Sequence, residues 1–237
     1  FIKSLYLKKN RDLYSFFIVE GDKIIDELLS SDFSIRNIYA TEDWYEDNCT
    51  KINDDILVKI SARELSRISN LKSPNNVLAV VKKRDLELNH DNLTGLTLVL
   101  DSINDPGNLG TIIRSCHWFS IKNIVCSENT VDMYNSKVIQ STMGSVFNVN
   151  VFYEDLSSFL KDCSNSHTIY GSFLDGNDIK KLDIKTNSIL VVGNESNGIS
   201  NSLVNQIHKK VTIKGISKNI NSLNVASATA IMLHEIC

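Results

Sequence analysis

The chain has 237 residues, a formal net charge of −3 and an ordinary mixture of apolar and charged residues. This length suits one large domain or two modest ones, and the composition is typical of a globular protein. No stretch approaches the roughly 18 consecutive apolar residues that a membrane helix needs. The first residues, FIKS, lack both Met and the apolar core of a signal peptide, so we expect a trimmed start and a cytoplasmic protein.

The net charge argues against a protein that coats polyanions without specificity, but it leaves RNA open because local basic patches matter more than the sum. Basic residues concentrate in three places, where ordinary solvated side chains are an equally good interpretation. These places are Lys3, Lys8, Lys9 and Arg11; residues 82–84; and Lys209, Lys210, Lys214 and Lys218.

Cysteine and histidine give no sign of a metal centre or a disulfide framework. The five cysteines form no CxxC pair, which fits a reducing compartment. The five histidines are scattered, with no pair four residues apart and no convincing neighbours at ligand spacing. We therefore expect no metal. A serine hydrolase is also excluded, because the chain lacks the Gly-x-Ser-x-Gly turn.

Residues 1–84 predict a small domain of mixed helices and strands. A helix is expected over Asp22–Leu29, with Ile24, Ile25, Leu28 and Leu29 on its inner face. A second helix should begin after Ser61, because Glu64 follows at capping-box spacing. Apolar runs predict strands at residues 16–20, 35–39, 56–60 and 77–81.

A polar linker, residues 85–95, separates this part from residues 96–237, where strands and helices alternate. Several strands are apolar nearly throughout, as expected of a parallel sheet that is buried on both faces. The strands are predicted at residues 96–100, 123–126, 149–153, 168–172, 189–192 and 210–213, and the helices near residues 107–119, 134–145, 154–162, 199–208 and 222–236.

Three polar segments follow apolar runs in this second part, at the positions where α/β sheets carry their ligands. The first is residues 105–114, DPGNLGTIIR, in which helical spacing turns Arg114 away from the core. A guanidinium there suits phosphate or carboxylate, although a surface ion pair is the simpler interpretation of this segment alone.

The second segment is residues 193–198, GNESNG, in which Gly193 allows close backbone approach and Glu195 precedes a helix capped by Ser200. The third begins at Ser222, a natural N-cap for a helix from 223 to 235. Small residues at 226–228 and 230 would let a ligand or a partner helix approach that helix closely.

Together and in this order, the segments resemble the motifs of the SpoU/TrmH family of RNA ribose 2′-O-methyltransferases. The matching stretches are residues 105–114, residues 192–198 (VGNESNG) and residues 222–228 (SLNVASA), with residues 135–144 (NSKVIQSTMG) between them. The first domain resembles the L30e-like RNA-binding domain often fused to that family, through residues 7–11 (LKKNR) and 17–21 (FIVEG).

The resemblance implies an α/β fold in which the catalytic domain, residues 96–237, contains a parallel sheet and a C-terminal trefoil knot. A small L30e-like α/β domain at residues 1–84 would precede it. It implies S-adenosylmethionine as methyl donor and a homodimer formed by C-terminal helices. The residues implied to contact the cofactor are Gly193, Ile213 and Leu223, and those of the catalytic cluster are Asn108, Arg114, Glu195, Ser222 and Asn224. The family usually has Pro after Ile213, where this chain has Lys214.

The resemblance also implies an RNA substrate, with ribosomal RNA favoured over transfer RNA. On physical grounds we expect Arg114 to clamp a phosphate rather than act as the base, because a guanidinium resists deprotonation. Ser222 and Asn224 would position the ribose, and Glu195 would hold Arg114 or a neighbouring amide. The alternatives are a non-catalytic RNA-binding protein and a methyltransferase that acts on a base.

Overall fold

The computed structural model describes residues 1–90, 93–182, 184, 187–216, 219 and 222–237. Within that part of the chain, two compact units separate. The first comprises Phe1–Asp85 and Asp132–Phe147, and the second comprises Leu86–Val131 and Asn148–Cys237. Residues 132–147 therefore pack with the N-terminal unit, although they lie far along the chain from it.

The first unit is built on a four-stranded mixed sheet with the strand order β1-β4-β2-β3, in which only β2 and β3 run parallel. Its strands are β1 (Phe16–Glu20), β2 (Ile35–Ala40), β3 (Leu57–Lys59) and β4 (Val77–Lys82). Its helices are α1 (Lys8–Tyr14), α2 (Asp22–Leu29), α3 (Glu42–Asn48), α4 (Ala62–Ile68) and α6 (Ser136–Thr142), with 3-10 turns at Ile2–Tyr6 and Ser145–Phe147.

Aromatic contacts and a buried ion pair attach residues 132–147 to this unit. The Tyr134 ring lies 4.5 Å from the Phe17 ring, and Phe147 lies 5.2 Å from Phe33, measured between ring centroids. Arg11 Nη2 lies 2.7 Å from the carboxylate of Asp132, and both side chains are almost fully buried. Arg11 was grouped above with a surface basic cluster, and that grouping is wrong.

The second unit is built on a six-stranded, wholly parallel sheet with the strand order β10-β8-β9-β5-β6-β7. Its strands are β5 (Leu96–Leu100), β6 (Asn123–Ser127), β7 (Asn150–Glu154), β8 (Thr168–Asp178), β9 (Ser188–Val192) and β10 (Lys209–Thr212). Its helices are α5 (Pro106–Trp118), α7 (Leu156–Cys163), α8 (Asn201–Val204) and α9 (Val225–Ile236), with a 3-10 turn at Ile179–Lys181.

Most predicted strands appear within a residue or two of their expected ends, and the capping box at Ser61 and Glu64 is present. Strand β8 is longer than predicted because its pairing with β10 continues past a register shift, up to Asp178. Gly176 permits that pairing, since a Cβ there would lie 2.5 Å from the Val211 carbonyl carbon. The predicted helix at 199–208 is wrong in length, because α8 ends at Val204.

Two helices of the first unit, α1 and α3, were not predicted. Helix α3 has the sequence EDWYEDN and buries only Trp44, so no apolar period marks it. No helix within the described ranges is long and apolar enough to cross a membrane. The trefoil knot stays a prediction.

Candidate functional site

The three polar segments follow strands whose carboxyl ends meet at one edge of the parallel sheet. Strands β5 and β9 are neighbours in register, with Leu100 opposite Val192, so residues 101 and 193 leave the sheet side by side. Strand β10 reaches the same edge and leads to Ile213 and the third segment. Open α/β sheets bind their ligands at such an edge.

A chain of side-chain hydrogen bonds joins one residue from each segment. Asn108 Nδ2 donates a short hydrogen bond to Glu195 Oε1, and Asn224 Nδ2 donates to Asn108 Oδ1 at 2.9 Å. The amide of Asn108 is therefore the central member, and its orientation is fixed from both sides. Residues separated by 87 and 116 positions in the sequence thus form one polar cluster.

Helix caps hold two members of this cluster in place. The Asp105 side chain accepts a hydrogen bond from the backbone N–H of Asn108 at 2.8 Å and so caps α5. Asn224 caps α9, because its Oδ1 accepts from the N–H groups of Ala226 and Ser227. The prediction that Ser222 caps this helix is wrong: the helix begins at Val225, and the side chain that reaches its first free N–H groups is that of Asn224.

A buried carboxylate, Asp101, ties the Glu195 loop to the end of β5. Its Oδ2 accepts from the Ser200 N–H at 2.7 Å, and its Oδ1 accepts from the Ser102 hydroxyl at 3.0 Å. Asn194 Nδ2 donates to the Ser102 carbonyl at 2.8 Å. The sequence reasoning missed this network. An acid directly after a buried strand was the signal that could have found it.

Gly193 is close to its own chain. A Cβ at this position would lie 2.1 Å from the Gly198 carbonyl carbon, because Asn194 and Gly198 exchange backbone hydrogen bonds across a tight loop. The predicted close backbone approach at Gly193 is therefore present, and the approaching backbone belongs to residues 198 and 199.

Arg114 lies on the exposed face of α5, as its helical spacing predicted, along with Thr111 and Trp118. Trp118 is 84% exposed. The Arg114 side chain forms no hydrogen bond or ion pair with any other described residue, and the same holds for the Ser222 side chain. In the structure the Glu195 carboxylate accepts a hydrogen bond from the Asn108 amide, and it forms no ion pair with Arg114.

The remaining predicted residues give this edge an apolar component. Leu223 is 49% exposed and Ile213 is half-buried. Lys214, which stands where the family usually has Pro, is exposed.

Thiol chemistry is disfavoured at the helix that carries the site, because burial raises the pKa of Cys116 well above its usual range. The described residues include no group of three or more side chains that could hold a metal ion.

The parallel sheet and its polar carboxyl edge define an α/β protein of the kind that binds a ligand at its strand ends. Residues 95–234 match the model of the SpoU rRNA Methylase family, and residues 1–79 match that of the MRM3-like substrate binding domain. The chain belongs to the SpoU rRNA methylase family, as the first match covers more than half of it. The family, fold class and enzyme class predicted from the sequence are confirmed.

Known relatives cover almost the whole chain. The chain is 27% identical over 241 residues to the 23S rRNA (guanosine(2553)-2′-O)-methyltransferase RlmP of Bacillus subtilis, covering 99% of this chain and 93% of that one. A TrmH-family protein described as a putative RNA methyltransferase, from Porphyromonas gingivalis, superposes with a TM-score of 0.89 at 30% identity, covering 99% of this chain and 94% of that one. An rRNA methyltransferase from Sinorhizobium meliloti, described as bound to AdoMet, gives 0.87 at 26% identity, covering 99% and 91%.

Proposed function

We propose that this protein transfers a methyl group from S-adenosylmethionine to a ribose 2′-hydroxyl of RNA, with ribosomal RNA favoured over transfer RNA. The observation that carries the proposal is the hydrogen-bonded chain Glu195–Asn108–Asn224, which unites the three motifs at the carboxyl edge of the sheet. The relatives named above support both the cofactor and the substrate, since one is named as a 2′-O-methyltransferase of 23S rRNA and another is described as AdoMet-bound.

The residues at this edge fit the cofactor. Ile213 and Leu223 offer partly exposed apolar surface on an otherwise polar edge, which suits a flat adenine. Gly193 lies in a loop packed tightly on itself, so this wall of the site is preformed. When bound, the cofactor supplies an activated methyl group together with its own leaving group.

Arg114 is proposed to hold a phosphate beside the target ribose. It is exposed and unpaired among the described residues, so its five N–H donors are free for a phosphate. A fixed positive charge beside the hydroxyl lowers the cost of forming the alkoxide. The base role is disfavoured because a guanidinium resists deprotonation.

Ser222 and Asn224 are proposed to position the ribose by different means. The Ser222 hydroxyl is exposed and unpaired among the described residues, so it is free to contact the sugar. The Asn224 amide already caps α9 and donates to Asn108, so it positions by fixing the loop. Glu195 holds Asn108 from the other side. Orientation of this kind is worth about 7–11 kcal/mol in favourable cases.

Labelled S-adenosylmethionine and total RNA test this function directly. After incubation, the RNA is digested to nucleosides and the labelled product is identified. We expect a 2′-O-methyl nucleoside. Label on a base would instead identify a base methyltransferase, and no transfer to any RNA would identify an RNA-binding protein without activity.

We further propose a cytoplasmic homodimer formed by the catalytic domain. In sequence, residues 1–84 would form the RNA substrate-binding domain, 85–95 the linker and 96–237 the catalytic domain, of which residues 132–147 pack with the first unit. The family matches at residues 1–79 and 95–234 support this division.

The exposed Trp118 supports the dimer, because α5 packs against α9 within the chain and leaves that ring uncovered. Light scattering of the wild-type protein and of Trp118→Ser tests it: a dimer that the substitution weakens is expected.

A further inference from the structure

Three aromatic rings and an arginine gather on the surface of the first unit, where β1 and β2 begin. The rings of Phe1 and Tyr14 lie 5.3 Å apart, and those of Phe1 and Phe16 lie 6.3 Å apart, both edge to face. The Arg36 guanidinium carbon lies 4.7 Å from the Phe1 ring centre and 5.0 Å from that of Phe16. We call these four residues, together with Lys82, the aromatic–cation patch.

Two of the three rings of this patch are exposed, although the unit has a well-formed core, and the third ring, Phe16, is partly buried. Phe1 is 53% exposed and Tyr14 is 45% exposed, whereas Phe17, which follows Phe16 on β1, is completely buried. Scattered exposed apolar residues need no explanation, but rings in mutual contact on the surface mark a place of interaction.

The patch is positively charged and lacks compensating carboxylates. Lys82 stands opposite Phe16 in the pairing of β1 and β4, and it is exposed. Neither Lys82 nor Arg36 forms an ion pair with another residue that the structure describes. The next two basic residues differ, because Lys83 pairs with Asp12 and Arg84 with Asp32.

An arginine that stacks on rings keeps its N–H donors for a second partner. The guanidinium contacts rings through its face, while its donors lie in its plane and point outward. Exposed rings beside such donors offer a stacking surface for bases and a contact for the phosphates between them. That combination is how proteins hold single-stranded nucleic acid.

We propose that the aromatic–cation patch binds an unpaired segment of the RNA substrate, with bases stacked on Tyr14 and Phe1 and phosphates held by Arg36 and Lys82. This inference rests on the proposed RNA methyltransferase function and adds the surface that recognises the substrate away from the target ribose. A duplex fits less well, because its bases are already stacked on each other.

Binding of a labelled, unpaired 12-nucleotide RNA, followed by fluorescence anisotropy, tests the patch. Tyr14→Ala is expected to weaken binding about tenfold, as the loss of one stacked base would. Arg36→Gln is expected to weaken binding and to reduce the slope of log affinity against log salt by about 0.7, as the loss of one phosphate contact to a single strand would. A purely structural role would leave that slope unchanged.

Matched controls separate the patch from general surface effects. Leu13→Ala removes an exposed apolar side chain next to Tyr14, and Arg63→Gln removes an exposed arginine on α4. Both are expected to bind RNA as the wild type does. Urea unfolding of each variant checks the fold, and Tyr14→Leu replaces Tyr14→Ala where the alanine variant is destabilised.

Two results would overturn the proposal. One is an unchanged affinity and salt slope in both patch variants. The other is that the patch variants lose binding to polyglutamate as strongly as they lose binding to RNA, which would indicate an acidic protein partner. Methyl transfer is measured separately: the patch variants should raise the KM for RNA and keep kcat. If the wild type binds through the patch but transfers no methyl group, the proposed function fails and the patch stands.

Discussion

At the scale of single residues, the site is held by side chains that each serve two partners. Asn108 accepts from Asn224 and donates to Glu195, while its own backbone N–H is taken by Asp105. Asp101 likewise serves both the Ser102 hydroxyl and the Ser200 N–H. Arg114 and Ser222 are exceptions, because neither side chain has a partner among the described residues. Fixed neighbouring side chains around an unpaired guanidinium are what a phosphate-binding role requires.

Arg114→Lys should show whether the site needs bidentate phosphate binding by a guanidinium or only a positive charge. Lysine keeps the charge but loses the bidentate geometry, so we expect kcat to fall about 10- to 100-fold, the range of one charge-assisted hydrogen bond. Steady-state kinetics with an RNA that accepts the methyl group measures this, with the product quantified as the labelled 2′-O-methyl nucleoside. Arg63→Lys, on the exposed face of α4, is the control. Retention of most of the rate by Arg114→Lys would contradict the clamp.

Gly193→Ala should damage the Glu195 loop by a steric clash. The new methyl group would lie 2.1 Å from the Gly198 carbonyl carbon, so the loop must move. Overpacking of this kind costs about 1–3 kcal/mol of unfolding free energy, and we also expect weaker cofactor binding. Gly198→Ala is the comparison, since it has open space around it and adds only the strain of a φ of +68°. Calorimetric titration and urea unfolding should rank the first variant as the more damaged.

At the scale of elements, the carboxyl ends of three strands and the first turns of two helices define the site. The sequence was sufficient to predict the strands, because a sheet buried on both faces has continuous apolar runs such as residues 189–192. The sequence was not sufficient to predict which side chain caps the N-terminus of α9. Ser222 and Asn224 are both good capping residues, and the choice depends on where Asn108 lies in space.

Asn224→Ala should affect both stability and catalysis through helix α9. It removes two capping hydrogen bonds, at a cost of about 1 kcal/mol, and releases Asn108. Asp155→Ala removes the cap of α7, where the side chain accepts from the Ser158 N–H at 2.8 Å. Both variants should lower the midpoint of urea unfolding, but only Asn224→Ala should lower kcat. A comparable loss of kcat in both would mean that Asn224 acts through stability alone.

At the scale of the whole molecule, the order of residues along the chain does not match the two compact units. Residues 135–144 resemble the family's sequence, and yet the segment that contains them, residues 132–147, completes the core around Phe17 and Phe33. A linear division at residue 84 could not reveal this, because no local pattern announces a contact 121 residues away such as that between Arg11 and Asp132. The identity of Arg11 as a core cation was hidden for the same reason.

Arg11 and Asp132 offer a direct test of how strongly this segment is held. Arg11 donates to Asp132 and to the carbonyls of Leu5 and Tyr6, and it is 2% exposed. Arg11→Met leaves a buried carboxylate unpaired, so we expect unfolding free energy to fall by about 3–5 kcal/mol. The double variant Arg11→Met/Asp132→Leu removes both charges and should recover much of that loss.

Urea unfolding of the full chain measures these changes, with Lys59→Met as the comparison. Lys59 pairs with Glu42 on the surface, and its loss should cause no measurable change. An equally small effect for Arg11→Met, or no recovery in the double variant, would mean that the segment is held by its apolar contacts alone. A large loss for Arg11→Met with recovery in the double variant would show that the ion pair helps to hold the segment. A catalytic fragment that begins at residue 96 would then lack the partners of Asp132 and Tyr134, so the enzyme could not be cut between the two sequence domains without loss of stability.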